Sequence, residues 1–193
     1  MQPTSTRPQL IFLHGTTWAS KHWPEPYWRE LARLAVDAGY QICLPWGDMR
    51  EQERALRLAD GIEHASVLEK LSLTALLARL QQCAGVVAVD TGLGHLAAAL
   101  GLPTVSLYGA TNPALSGTFG YNQLQLKSDL ACSPCLNRAC QYRGQAISDQ
   151  TQDSQDFVVE PPCYRSMPPS EVMGHLTRMI ETRNVPQVSE AVL

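Results

Sequence analysis

A polar stretch between an apolar run and a helical pattern carries the residue types needed to bind an anion. In VDTGLGHLAAALGLP, residues 89–103, Asp90 ends the run GVVAVD, and we expect a helix to begin just after it. Backbone N–H groups that are free at a helix N-terminus favour a phosphate. Gly92 and Gly94 let such a group approach without a Cβ in the way, while Thr91 can donate a hydroxyl and His95 a ring N–H. The stretch therefore predicts a phosphate or diphosphate site.

Asp90 leaves two interpretations open. Beside a bound anion, its carboxylate can accept hydrogen bonds from the hydroxyls of an attached sugar. Alternatively, it is the N-cap of the helix, and Gly92 and Gly94 only permit a tight turn. A short glycine-containing turn between a strand and a helix is a weak signal, so this motif alone gives the two interpretations equal weight.

A second polar cluster, HGTTWASKHWP, follows the first apolar run of the chain. The hydroxyls of Thr16 and Thr17 can donate hydrogen bonds to a diphosphate, and Lys21 can supply a compact positive charge. The alternative is a solvated loop, which this stretch alone favours. We expect Trp23 and Trp28 to be packing residues rather than ligand platforms.

A third polar cluster, LPWGDMREQERA, follows the second apolar run. Glu51 can accept from both hydroxyls of a ribose, the task that an acidic residue performs in dinucleotide-binding folds. Alone, Glu51 is better explained as an exposed residue near the N-terminus of a helix. Three polar clusters at the same edge of one sheet, however, indicate a shared pocket.

Five apolar strands alternate with helical patterns between residues 9 and 108. The strands are apolar throughout, which is typical of a parallel sheet covered on both faces. We therefore predict a doubly wound, Rossmann-like α/β domain. Ser72 is the expected N-cap of the helix SLTALLARLQQC.

The alternation of strands and helices ends after Tyr108. We expect residues 109–168 to be mostly loop, with local disorder near residues 143–156. PPSEVMGHLTRMIETR returns to a helical pattern, with Ser170 as its candidate N-cap. The predicted organisation is an extension over 1–8, a nucleotide-sugar binding domain over 9–128, a cysteine-containing irregular region over 129–168, and a helix with a tail over 169–193.

Composition excludes several classes of partner. The 193 residues are 45% apolar with a net charge of -3, which suits one compact domain and gives no general attraction to nucleic acid. No apolar run reaches the roughly 18 to 20 residues that span a bilayer. The segment MQPTSTRPQL lacks the pattern of a signal peptide, so we expect a cytoplasmic protein, with peripheral membrane contact left open.

Cysteine usage leaves three alternatives for one cluster. Cys43 and Cys83 lie in apolar periodic segments and are expected to be buried thiols. The other four lie in the irregular region, where we weigh free thiols first, a structural zinc site second and a disulfide or redox pair last. These low-weight zinc candidates are Cys132, Cys135, Cys140 and Cys163.

Two common α/β enzyme motifs do not occur in the sequence. No G-x-G-x-x-G follows the first strand, which disfavours a dehydrogenase. No G-x-S-x-G elbow occurs, which disfavours an esterase.

The polar clusters, taken together and in order, resemble one family. LHGTTWASKHWPEPYWREL, LPWGDMREQERALRLA and VDTGLGHLAAALGLPTVSLYGATNP are similar to the lipopolysaccharide heptosyltransferases of glycosyltransferase family 9, most closely to the C-terminal half of heptosyltransferase I. The resemblance covers about residues 9–126. It implies the C-terminal domain of a GT-B glycosyltransferase, in which two Rossmann-like domains face each other across a cleft. That domain would bind the donor ADP-L-glycero-D-manno-heptose.

The resemblance also implies roles for residues of HGTTWASKHWP and LPWGDMREQERA and for one leucine further along the chain. Thr16, Thr17 and Lys21 match contacts to the donor diphosphate. Glu51 matches the acid that binds the ribose. Leu71 falls where the family packs an apolar side chain against adenine.

For the stretch VDTGLGHLAAALGLP, the resemblance implies a cradle for the sugar and the diphosphate. Asp90 matches the residue that reaches the heptose hydroxyls, while Thr91, Gly92 and His95 match the cradle itself. Gly94 stands where the family usually has Ser, so we expect any hydroxyl contact from that position to be lost.

The implied reaction is an inverting transfer of heptose to the Kdo of the lipopolysaccharide inner core, with ADP as leaving group. Lys21 and the helix N-terminus would stabilise the charge on that diphosphate, and no metal or other cofactor is expected. The family's N-terminal domain, which holds the acceptor site and the catalytic base, has no counterpart in these residues. We therefore leave the catalytic residues unknown and expect this chain alone to bind the donor weakly and to transfer sugar poorly or not at all.

Further expectations concern identity and partners. One alternative is a non-catalytic fragment that binds a nucleotide sugar, and another is a heptosyltransferase II-type enzyme that adds the second heptose. The expected partners are the donor, the inner-core acceptor and an N-terminal GT-B domain if it is encoded separately. Nucleic acid is not an expected partner.

Overall fold

A six-stranded parallel sheet forms the centre of the protein. The structure is a computed structural model that describes residues 7–153 and 156–184. The sheet order is β3-β2-β1-β4-β5-β6, and every neighbouring pair is parallel. This architecture confirms the predicted doubly wound α/β fold. The strands are β1 (Gln9–Leu13), β2 (Gln41–Leu44), β3 (Ala65–Val67), β4 (Gly85–Val89), β5 (Thr104–Tyr108) and β6 (Gln123–Lys127).

Helices cover both faces of this sheet. One group, α1, α2 and α6, packs on the face formed by Leu10 and Phe12, while α3 and α4 pack on the face formed by Ile11 and Leu13. The chain changes faces between β1 and β4, which lie side by side, so the sheet has a topological switch point there. The helices are α1 (Glu25–Asp37), α2 (Met49–Ala59), α3 (Leu73–Gln81), α4 (Gly92–Ala99), α5 (Pro113–Ser116) and α6 (Pro169–Asn184).

Aromatic packing anchors α1 to the sheet. Trp23 and Trp28 are almost fully buried, with ring centroids 5.0 Å apart in an edge-to-face arrangement. Trp28 also contacts Phe12 of β1, with centroids 5.3 Å apart. Such pairs contribute roughly 0.5 to 1.5 kcal/mol beyond the burial of their area. The prediction that both tryptophans are packing residues is confirmed.

Two of the helix starts bear on the sequence predictions. Ser72 caps α3, because its hydroxyl accepts a hydrogen bond from Ala75 N–H at 3.2 Å, as predicted. The prediction of Ser170 as an N-cap is wrong, since α6 already begins at Pro169. Proline suits the first turn of a helix because its fixed φ is helical and its missing N–H would have had no partner.

The chain after Tyr108 has more structure than its composition indicates. β6, which was not predicted from the sequence, completes the sheet beside β5. Its sequence QLQLK is only partly buried, as befits an edge strand. Two short strands, β7 (Ser148–Asp149) and β8 (Phe157–Val158), pair antiparallel. The first lies inside the segment for which we expected disorder, and the second begins directly after it. Part of that expectation, at residues 154 and 155, lies outside the described residues.

The structure leaves out most of the two chain ends. The predicted tail beyond residue 184 and most of the predicted extension, residues 1–6, lie outside the described residues. Within the described ranges, no helix combines the length and apolar character required to cross a bilayer.

Candidate functional site

A cavity of about 450 Å³ opens at the carboxyl ends of β1, β2 and β4. It lies at the switch point between β1 and β4, where open α/β sheets bind their ligands. Nine residues selected from the sequence line this one cavity, although they come from four separate loops and helix starts. They are Thr16, Thr17, Lys21, Glu51, Leu71, Asp90, Thr91, Gly92 and His95.

Lys21 and Asp90 form an ion pair inside the cavity. Lys21 Nζ lies 2.7 Å from Asp90 Oδ2, and the two side chains are only 16% and 9% exposed. The hydroxyl of Thr111 donates to the same oxygen at 2.6 Å. The Thr16 hydroxyl donates to the backbone carbonyl of Asp90 at 3.3 Å, which links the loop after β1 to the loop after β4. The buried carboxylate is thus held by a cation and a hydroxyl from separate loops.

The interpretation of Asp90 as a helix cap is wrong. The N-cap of α4 is Thr91, and the Asp90 side chain turns to Lys21 and Thr111 instead. A lysine ammonium carries three donors, so its pairing with one carboxylate oxygen leaves N–H groups for a further anion. The second oxygen of Asp90 likewise remains for another donor.

The N-terminus of α4 adds backbone donors to the cavity. Gly92 and Leu93 open the helix and line the cavity, and their N–H groups have no preceding turn of helix to accept them. His95 is exposed at the rim. Gly94, by contrast, is buried, and a Cβ there would lie 3.3 Å from Ala88 Cβ. A side chain at Gly94 would therefore meet the sheet, so this glycine serves close packing and the prediction that it admits an anion is wrong, whereas Gly92 does line the cavity.

Glu51 is fixed at the first turn of α2. Asp48 caps this helix by accepting from Glu51 N–H at 2.9 Å, and Glu51 Oε2 accepts from Gly47 N–H at 2.7 Å. The carboxylate also lies against Gly15, because a Cβ at that glycine would be 2.3 Å from Glu51 Oε1. The acid is therefore held between the loops that follow β1 and β2, rather than extending freely into solvent.

An apolar wall closes the end of the cavity near α3. Leu71, which the resemblance indicated, is joined there by Leu73, Leu76 and Trp46. The Trp46 indole N–H donates to Leu68 carbonyl at 2.7 Å, which orients the ring. Trp46 was not among the predicted site residues, although an aromatic residue two positions after a buried strand was a usable signal. Leu73 is 58% exposed despite its size, as expected for a residue that lines an open pocket.

A fully buried histidine, His14, lies at the wall of the cavity. His14 directly follows β1, and among the residues that the structure describes neither of its ring nitrogens has a hydrogen-bond partner. Burial lowers the pKa of His14 to about 4, with the charge of Arg54 acting in the same direction. Burial likewise lowers the pKa of His22 to about 4. Both imidazoles are therefore neutral near pH 7, so they add no positive charge beside Lys21.

The cysteines separate into two groups. Cys43 and Cys83 are buried, as predicted. The other four are also free thiols, and all of them line a second, much smaller cavity of about 20 Å³. Across residues 7–153 and 156–184, no group of three or more His, Cys, Asp or Glu side chains is placed to hold a metal ion. The four cavity-lining cysteines are Cys132, Cys135, Cys140 and Cys163.

Comparison with known proteins gives one consistent family. The model of glycosyltransferase family 9 (heptosyltransferase) matches residues 1–146. Lipopolysaccharide heptosyltransferase 1 of Pseudomonas aeruginosa (strain PAO1) is 48% identical over 174 residues, which cover 90% of this chain and 48% of that protein. Lipopolysaccharide heptosyltransferase 2 of Escherichia coli (strain K12) is 32% identical over 117 residues, covering 57% of this chain and 33% of that protein.

A solved structure extends the match to three dimensions. E. coli heptosyltransferase WaaC with ADP-2-deoxy-2-fluoro heptose is 46% identical, with a TM-score of 0.59. The match covers 65% of this chain and 38% of that one. The chain thus spans about half, or less, of the length of the curated relatives that it matches.

Proposed function

Since the chain belongs to glycosyltransferase family 9, the heptosyltransferase family, we propose that it supplies the donor-binding domain of a lipopolysaccharide heptosyltransferase. The observation that carries this proposal is the convergence of Lys21, Glu51 and Asp90 on one cavity at the switch point of the sheet. The related WaaC structure holds an ADP-heptose analogue. The proposed donor is therefore ADP-L-glycero-D-manno-heptose.

The diphosphate lies between Lys21 and the N-terminus of α4 in the proposed complex. The ammonium supplies charge-assisted hydrogen bonds, and the N–H groups of Gly92 and Leu93 supply neutral ones in a favourable dipole. The opposite loop adds hydroxyl donors as well: Thr17 can donate directly, whereas Thr16 donates to the Asp90 carbonyl and must give up that bond to reach the diphosphate. This set of donors from both sides suits a doubly charged group better than a neutral sugar.

The nucleoside lies toward α2 and α3. Glu51 accepts hydrogen bonds from the ribose hydroxyls, as an acid at the end of the second strand does in dinucleotide-binding folds. The adenine lies against the apolar wall, where Leu71 and Trp46 provide a surface for a flat ring. The heptose then points to Asp90, whose carboxylate can accept from its hydroxyls.

The proposed reaction is an inverting transfer. A hydroxyl of the acceptor forms a bond to the anomeric carbon, the bond from that carbon to the diphosphate oxygen breaks, and ADP leaves. Lys21 and the N–H groups of α4 stabilise the negative charge that develops on the leaving diphosphate. A base must remove the proton of the acceptor hydroxyl, and we assign no residue of this chain to that role. The proposal involves no metal or cofactor.

The acceptor and the site of action follow the same proposal. The chain is 48% identical to a heptosyltransferase 1 but 32% identical to a heptosyltransferase 2, which supports the first type and the Kdo of the inner core as acceptor. A second Rossmann-like domain would complete the cleft and hold that acceptor. We place the reaction in the cytoplasm, in peripheral contact with the inner membrane.

Calorimetric titration with ADP and ADP-heptose tests the donor site. We expect wild-type chain to bind both, and Lys21→Ala to lower the affinity for ADP by about ten- to a hundredfold, since a charged hydrogen-bonding partner is lost. Lys127→Ala is the matched control, because this exposed lysine on the edge strand does not line the cavity. Equal ADP affinity in wild type and Lys21→Ala would refute the diphosphate assignment.

A further inference from the structure

Lys21 belongs to a turn that has little stability of its own. Residues Ala19–Lys21 form a single 3-10 turn, with a hydrogen bond from Lys21 N–H to Trp18 carbonyl at 3.0 Å. One turn of helix is not stable in isolation, because its few hydrogen bonds do not offset the entropy of ordering the backbone. The backbone position of Lys21 must therefore be fixed by contacts from elsewhere.

Those contacts come from the segments that follow the sheet. The hydroxyl of Tyr164 donates to the carbonyl of Lys21 at 2.7 Å. Ser20 N–H donates to Arg138 carbonyl at 3.1 Å, and the Ser20 hydroxyl donates to Asn137 carbonyl at 2.5 Å. The turn is thus attached to two segments that lie outside the strand-helix alternation of residues 9–108.

Tyr164 is itself held rigidly. Its side chain is fully buried in the 3-10 segment Pro162–Ser166. Its ring packs over Gly109, directly after β5, where an added Cβ would lie 2.9 Å from Tyr164 Cζ. Burial also raises the pKa of Tyr164 well above its ordinary value, so the hydroxyl stays protonated and remains a donor. The hydrogen bond to Lys21 therefore connects a single short turn to a packed interior residue.

We infer that Tyr164 is a positioning residue for donor binding. Its hydrogen bond to the Lys21 carbonyl fixes the position of the Lys21 backbone relative to the cavity. This inference rests on the proposed role of Lys21 as the diphosphate cation. Asp90 fixes the tip of the Lys21 side chain, and Tyr164 fixes its backbone. With both ends held, little side-chain entropy remains to be lost when a diphosphate binds.

Tyr164→Phe removes the hydroxyl and keeps the ring, so it isolates the hydrogen bond. We expect the affinity for ADP to fall about three- to tenfold, the effect of one ordinary hydrogen bond. The affinity for adenosine, measured by ligand-observed NMR, should stay unchanged, because adenosine has no phosphate for Lys21 to bind. A general loss of structure would weaken both ligands, so the ratio of the two affinities separates positioning from structural damage.

Tyr27→Phe is the matched control. Tyr27 is equally buried, and its hydroxyl donates to Asp149, away from the donor cavity. This variant should lower the melting temperature by an amount similar to Tyr164→Phe while leaving the affinity for ADP unchanged. If both variants weaken ADP equally, the inference is wrong.

A double-mutant cycle with Lys21→Ala completes the test. Once the ammonium is absent, Tyr164→Phe should cause no further loss of ADP affinity. An equal loss in both backgrounds, or no loss in wild type, overturns the positioning role. If Tyr164→Phe does not fold, Ser20→Ala removes a different bond to the same turn and should give the same pattern. Absence of ADP binding by the wild type would contradict the proposed function instead.

Discussion

Lys21 Nζ lies 2.7 Å from Asp90 Oδ2, so the cation that follows β1 and the acid that follows β4 face each other across the switch point of the sheet. An acid beside a phosphate site is unfavourable unless a cation neutralises it. The pair resolves this conflict, because the ammonium neutralises the carboxylate within the cavity where we propose that the diphosphate binds. Since we propose that Lys21 binds the diphosphate and Asp90 the sugar, separate substitutions can test the two roles.

Asp90→Asn should alter sugar recognition more than diphosphate binding. The variant removes a negative charge beside Lys21, so we expect the affinity for ADP to stay equal or to rise by a few fold. The additional affinity gained from the heptose should fall, because an amide accepts hydrogen bonds from hydroxyls more weakly than a carboxylate. Titrations with ADP and ADP-heptose measure both effects. A uniform loss with the two ligands would contradict a specific role in binding the sugar.

Glu51→Ala should remove discrimination between ribose and deoxyribose. In wild type, loss of the ribose 2′-hydroxyl costs a charge-assisted hydrogen bond to Glu51, so 2′-deoxy-ADP should bind roughly ten- to a hundredfold more weakly than ADP. In Glu51→Ala the two nucleotides should bind with nearly equal affinity. Competition titration measures this ratio directly. Glu53→Ala serves as the control and should retain the wild-type preference, because Glu53 is an exposed residue of the same helix that does not line the cavity.

His14 should make the stability of the protein depend on pH below neutrality. The unfolded chain takes up a proton near pH 6.5, whereas the buried imidazole does so only near pH 4. Stability is therefore fully present above about pH 7 and is lost as the pH falls from 6.5 toward 4. Between pH 7 and pH 5, His14 should lower the free energy of unfolding by about 2 kcal/mol.

Urea unfolding at those two pH values checks this prediction. His14→Gln should reduce the pH-dependent loss by that amount, whatever its effect on stability at pH 7. His175→Gln is a control at a histidine of α6 that lies far from this buried layer along the chain. An unchanged pH dependence in His14→Gln would contradict the lowered pKa, because it would show that the folded and unfolded states protonate this imidazole equally.

Thiol labelling should separate exposed from buried cysteines. Burial raises the pKa values of Cys83 and Cys163 to about 12, so their thiolate fractions fall roughly a thousandfold and their access to reagent is also restricted. Cys132 and Cys140 are exposed and should react first with a maleimide at pH 8. Mass spectrometry of labelled peptides measures the order. Protection of the exposed pair that is lost on adding a chelator would instead support the zinc alternative.

The sequence determined the fold through features that are local. Runs such as GVVAV and QLIFL are apolar on both faces, which only a sheet covered on both sides can bury, and each run ends at a polar loop. Parallel strands bring such loops to one edge, so the neighbourhood of Lys21, Glu51 and Asp90 could be inferred without coordinates. β6 escaped detection because QLQLK, a partly exposed edge strand, has neither a long apolar run nor a clear turn signal.

The tertiary structure alone decided how the site is held together. No pattern in the sequence indicates that Thr111 donates to Asp90, that Glu51 lies against Gly15, or that Tyr164 reaches the carbonyl of Lys21. Such contacts depend on side-chain direction and on the distance between segments far apart in the chain, and residue type and local periodicity encode neither. The sequence thus determined which residues meet at the sheet edge, whereas the packing of the later segments decided their partners.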